Sequence, residues 1–201
     1  MRSTQKTGTL SLYNKEVEMK VKDVILLAAT LLGCEEDVRY YIEDEDEEYA
    51  QKAEMLLHCL HLVENELALD YFPLVAEQEV RADSGKIVFS NLSKDIVRVI
   101  KVMDENENSM AYQLFPSYLM TQAGTVKVVY SYTPSQKDWD ENIDFTLYVS
   151  QRLLAYGIAA EYCTAMGRLE EANIWDEKYK DAIEAAYKVQ SGGTMPSRRW
   201  V

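Results

Sequence analysis

Residues 153–172, LLAYGIAAEYCTAMGRLEEA, constrain the fold more than any other stretch of the chain. Phe145, Val149, Leu153, Tyr156, Ala160 and Cys163 recur three or four residues apart, the spacing of one helical face, and Gly167 stands where such a helix is closed. A second stripe follows at once: Ala172, Trp175, Tyr179, Ala182, Ala186 and Val189. Two helices joined at Gly167 and Arg168 fold back on each other as an antiparallel hairpin. The small side chains of Ala155, Gly157, Ala159, Ala160 and Ala165 let a neighbouring backbone come close, so the stretch reads as a packing surface. Tyr156, Gly157, Ala160 and Trp175 are its expected helix-packing residues.

The rest of the chain is organised around that hairpin. From Val21, apolar residues at 21, 24, 25, 28, 31 and 32 keep the helical period, and Gly33 supplies a C-cap. The acidic run Glu43 to Glu48 precedes Tyr49, Ala53, Leu56, Leu60, Val63 and Leu67, a second helix that ends before Pro73. The run is expected in the first turn of that helix, where carboxylates complement the positive end of the dipole. The middle then changes character. GKIVFSN, DIVRVIKVMD, MAYQLF and TVKVVYSYTP are short and rich in β-branched or aromatic residues, with the turn-forming DENENS and QAG between them. In the last strand Val126, Val128, Tyr130 and Tyr132 alternate with Lys127, Val129 and Ser131, which predicts one buried face.

The expected fold is therefore mainly α with a β insertion. A four-helix body, with two N-terminal helices in 20–72 and the C-terminal hairpin in 144–190, carries a small antiparallel β unit at 73–137. An arm at 1–19 and a tail at 191–201 complete it. At 201 residues with 47% hydrophobic and 27% charged side chains, the chain can bury a sizeable core without staples.

Composition also removes several functions. Thirty-four acidic residues against 21 basic give a net charge of −13, the wrong sign for neutralising phosphates, so tight nucleic-acid binding is disfavoured. Cys34, Cys59 and Cys163 are odd in number and far apart, and read as reduced thiols of a cytosolic protein. The start, MRSTQKTGTLSLYNK, has no apolar signal core, and no run of eighteen apolar residues occurs, so neither secretion nor membrane spanning is expected.

Reactive groupings are sparse. HCLH puts His58 and His61 on one face of the second helix with Glu54 and Asn65, a spacing open to a metal ion. No second Cys or His cluster completes such a site, so no metal ligands are assigned. The acidic run lacks the glycine and the terminal glutamate of a calcium loop. No phosphate loop, dinucleotide fingerprint, nucleophile elbow or zinc-protease motif occurs, and two histidines on one turn leave few acid–base options. Neither an enzyme nor a cofactor is expected. Fourteen tyrosines against four phenylalanines suit half-exposed positions at the edge of core and contact surface.

The order of elements, together with VENELALDYFPLVAEQEV, VKVVYSYTPSQKDW, LAYGIAAEYCTAMGRLEEANIWDEKYKDAIEAA and the terminal PSRRW, resembles the head-to-tail connector (adaptor) proteins of tailed bacteriophages and prophages. The similarity runs from Val21 to the end, and its motifs are patterns of packing rather than catalysis. It implies a homo-oligomeric ring, expected to be dodecameric, that docks beneath the portal protein, extends the DNA channel and offers a platform to the next tail or stopper component. DNA would be passing cargo, and the protein, made in the bacterial cytoplasm, would reside in the virion neck. The resemblance further implies that Ser191 to Val201 reach into the portal, with Arg198, Arg199 and Trp200 as anchors. The acidic run and the first 19 residues depart from the family pattern. The alternative left open by the residues alone is a helical regulatory or metal-binding protein using Glu54, His58 and His61.

Overall fold

Helix α1 (Val21–Leu32) forms where its stripe predicts it, burying Val21, Val24, Ile25, Ala28 and Ala29. Gly33 closes it with φ 72°, a left-handed conformation that glycine adopts without steric cost; its own N–H returns to the Thr30 carbonyl and that of Cys34 to the Ala29 carbonyl. The chain is shown as a computed structural model that describes residues 18–145 and 148–191. It is a mixed α/β structure of five helices and two small antiparallel sheets.

The fifth helix is a correction to the expected four-helix body. Helix α2 (Glu35–Asp44) follows α1 directly, so three helices precede the strands rather than two. Val38 is the one fully buried side chain of EEDVRYYIED, with half-buried Tyr41 and Ile42 packed on the core beside it, a stripe too short to stand out from the surrounding charge. Ion pairs add to that packing: Arg39 reaches Glu35 at 2.6 Å and Glu43 at 3.1 Å, and Lys52 of α3 (Ala50–Glu66) pairs with Asp37.

The acidic run is likewise placed differently. Glu43 and Asp44 end α2, Glu45 turns the chain with φ 55°, and the Asp46 carboxylate accepts the Glu48 N–H at 3.1 Å to start one tight turn, Glu47–Tyr49. The run is thus a linker between two helices, and only its last residues sit at a positive helix end. Helix α3 buries Ala53, Leu56, Leu60 and Val63, then widens into a π-type turn, Leu67–Tyr71, before Pro73.

The hairpin stretch is the centre of the body. Ser150 caps α4 (Gln151–Ala165) by accepting the Leu153 N–H at 3.1 Å, so the helix begins six residues after Phe145; Phe145 and Val149 are buried outside it. Residues 153–160 are all buried, with α1, α3 and α5 (Leu169–Ser191) packed around them. A Cβ on Gly157 would stand 2.8 Å from Val63 Cγ1 and 2.9 Å from Tyr179 Cε2. The small residues read as a surface for a neighbour therefore admit this chain's own α3 and α5. Val189, on the expected second stripe, is 76% exposed.

The β unit has its own layers. Strands β1 (Leu74–Ala82), β6 (Gly124–Tyr132) and β3 (Ile96–Met103) form one sheet in that order; β2 (Lys86–Val88), β5 (Tyr118–Met120) and β4 (Gln113–Leu114) form the other. β1 pairs with β6 over its whole length, from Leu74 opposite Tyr132 to Ala82 opposite Gly124, so the unit begins and ends side by side. β1 and β5 escape the sequence pattern. The inward residues of β1 are Ala76, Gln78, Val80 and Ala82, too small and polar to mark a buried face.

Gln78 is inward for a reason: its Oε1 accepts the Ser93 N–H at 2.8 Å and the hydroxyl of fully buried Tyr130 at 3.3 Å. Ser84 (φ 54°) and Gly85 (φ 80°) make the two-residue turn into β2, and a Cβ on Gly85 would collide with the Thr121 carbonyl oxygen. Ile87, Leu119, Val126, Val128 and Tyr130 form a core separate from that of the helices. Among the described residues no helix is long and apolar enough to cross a membrane.

Candidate interaction surfaces

Formal charge divides the two units. Residues 18–72 and 138–191 together hold twenty-six acidic and nine basic side chains, a net −17, while residues 73–137 hold seven of each. Arg198, Arg199 and Trp200, the anchors implied by the resemblance, lie outside the described residues.

Tyr156, Gly157, Ala160 and Trp175 do come together. Tyr156 stacks on Trp175 with ring centroids 5.8 Å apart. Arg152 Nε–H donates to the Tyr156 hydroxyl at 2.5 Å, and Lys178 Nζ lies 4.2 Å from the Trp175 ring centre. The result is a ladder of cations and aromatic rings across α4 and α5. Gly157 and Ala160 line a shallow groove of about 200 Å³ with Glu66, Glu161 and Asp176. Burial, reinforced by Asp176, raises the Glu161 carboxyl above its usual range. A larger groove of about 600 Å³ lies between α1, α2 and the 139–140 segment; Tyr41 and Trp139 meet edge to face at 5.8 Å on its wall, and Asp23, Glu43, Glu45, Glu47 and Asp140 are among its lining residues.

The face of α3 carrying Glu54, His58 and His61 is divided among different partners. Glu54 and His58 are exposed, and Glu54 meets the Tyr41 hydroxyl at 3.5 Å. His61 is half-buried, its Nε2 lying 3.2 Å from the Lys137 N–H and 3.3 Å from the Lys137 carbonyl. Among the described residues no three His, Cys, Asp or Glu side chains are grouped to hold a metal ion. The cysteines are free, and burial pushes the Cys59 thiol up to about 12.

One grouping had no signature in the sequence. Glu64, one turn beyond His61, is fully buried with neither carboxylate oxygen hydrogen-bonded. Lys137 is buried beside it and pairs with Asp144 at 3.1 Å, leaving Asp144 Oδ2 unpartnered. Burial is the main cause that lifts the Glu64 carboxyl to about 7; Asp144 adds to it and Lys137 opposes it. The tie between α3 and the segment that leads from the β unit back into the helices is made by His61 on the Lys137 backbone, with the Lys137–Asp144 pair and Glu64 buried next to it. Nothing in the spacing of residues 64, 137 and 144 announces it.

The β unit presents charge at its edges. On β1, Glu77 bonds Lys127 at 3.1 Å and Glu79 is exposed without an ion pair among the described residues. On β3, Arg98 and Lys101 are exposed and equally unpaired among them. No protein-family model matches this chain, and no curated protein matches it.

Proposed function

We propose that this chain is a structural head-to-tail adaptor, repeated as a ring beneath the portal of a tailed phage or prophage. It extends the DNA channel and gives the next tail or stopper component its platform, working by shape and interface complementarity without turnover. The observation that most supports this reading is the −17 on the helical body, since a duplex that must slide past a wall should not be held there by counterion release. The glycine-rich Ser191–Thr194 followed by Arg198, Arg199 and Trp200 supports it as well, because a short anchor of that composition can order on the portal as it docks. The finished protein would sit in the virion neck.

Light scattering on the full chain and on one ending at Ser191, each alone and mixed with a portal ring, tests the proposal. The full chain should join the portal and the shortened one should bind it more weakly. A full chain that ignores portal rings and carries stoichiometric metal would overturn the reading.

A further inference from the structure

We propose that copies of this chain associate side by side through the two edges of one sheet, the acidic β1 edge of one copy meeting the basic β3 edge of the next. Closure into a ring rests on the adaptor reading; the contact itself stands on the sheet. The helical bodies, at −17 each, repel one another, whereas residues 73–137 are formally neutral and can approach a copy without that penalty.

Both strands are outer strands, and among the described residues no strand covers their free sides. The end of β3 is closed by the Met110 N–H on the Val102 carbonyl at 2.8 Å, which leaves Ile96 to Lys101 open. The edges have opposite signs, with unpaired Glu79 on β1 and unpaired Arg98 and Lys101 on β3. Apolar side chains are exposed beside these charges: Val75 on β1 is 54% exposed, and Val97 and Ile100 on β3 are 47% and 43%. Register shifts at Ile96/Arg98 and Val99/Lys101 make Val97 and Ile100 bulge residues. Bulges blunt an edge against backbone pairing, so the contact is one of side chains. Because the two edges differ, the interface is head-to-tail, the kind that repeats and closes when its rotation allows.

Sedimentation velocity of the full chain over a concentration series at low salt tests this, using Glu79→Lys, Lys101→Glu and the two together. Each single reversal should weaken association by about five- to tenfold, and the double, which exchanges the signs at Glu79 and Lys101 while Arg98 keeps its own, should recover most of that loss, to within about threefold of wild type. A wild-type chain monomeric at every concentration, single variants that associate like wild type, or a double variant weaker than both singles overturns the proposal. Portal binding is measured separately, so the adaptor reading can fail while this contact stands, and the reverse.

Discussion

The helical body and the β unit solve opposite problems with the same chain. The body turns its apolar stripes inward around one helix, α4, and accumulates negative charge outside. The β unit builds a smaller core from Ile87, Leu119, Val126, Val128 and Tyr130, balances its charge, and leaves Val75, Val97 and Ile100 exposed at its edges. A body of that charge repels like-charged neighbours and a duplex's phosphates alike, and the neutral unit carries no such penalty, which is why the proposed contact between copies is placed there. Division of labour between packing and contact is what the difference teaches.

The largest effect is expected at the point where the body is tightest. Gly157→Leu drives a branched side chain into Val63 and Tyr179, already within 3 Å of where a Cβ would stand, and should cost about 3 kcal/mol or more. Trp139 and Trp175 both lie in the body, so tryptophan fluorescence in urea reads the loss directly. An unchanged midpoint would mean that α3 and α5 can move aside, and that the body is not the rigid partner.

Legibility in the sequence follows the same division. The hairpin, α1 and α3 were readable because each buries a periodic stripe against a single core. α2 was not, since its apolar contacts, Val38, Tyr41 and Ile42, make a single short patch among charged residues. β1 was missed because Gln78 faces inward to serve Tyr130 and Ser93, a hydrogen-bonding role that alternation cannot show. The HCLH pair is conspicuous by spacing, yet the buried carboxylate on that helix is Glu64, and the charges that act on it, Lys137 and Asp144, come from about 75 residues further along and near it only in three dimensions. Packing surfaces were visible as such, but whether the neighbour was a helix of the same chain depended on tertiary contacts.

Next in size is the junction between the two units. The folded-state value for Glu64, about 7, lies above its ordinary 4.5, so the folded chain holds a proton that the unfolded chain releases. The contribution is full below pH 4.5, shrinks as pH rises, and by about pH 7 has changed by up to about 3 kcal/mol. His61, lowered by burial, acts in the opposite direction as its proton is lost, so the wild-type profile alone is mixed. Glu64→Gln removes one contribution and keeps the other. Chemical denaturation at several pH values should show the variant gaining on wild type as pH rises; parallel profiles would show that Glu64 stays charged, balanced by Lys137.

A smaller effect, confined to the strands, is expected from Gly85→Ala. The residue holds φ 80° against the Thr121 carbonyl, so a methyl group meets both an unfavourable backbone angle and a steric block, costing about 2 kcal/mol. Hydrogen exchange should quicken in β2 and β5 while the amides of α4 keep their protection. Faster exchange in α4 as well would join the two cores into one cooperative unit.

The smallest effect on the body should come from the largest change, removal of the unit itself. Val75 lies opposite Ser131 in the β1–β6 ladder, so replacing residues 76–130 with Asn-Gly joins neighbouring ends by a short turn and keeps Leu74 packed on the helices. The junction of Glu64, Lys137 and Asp144 lies outside the excised stretch and is kept whole. Because the body's core contains no side chain from 76–130, its unfolding midpoint by tryptophan fluorescence should move by less than about 1 kcal/mol. The shortened chain should also lose self-association, since both edges go with the strands. A collapse of helical signal would show that the body depends on the sheet for its fold; retained association would move the contact between copies onto the acidic helices, where −17 on each partner would have to be neutralised by something else.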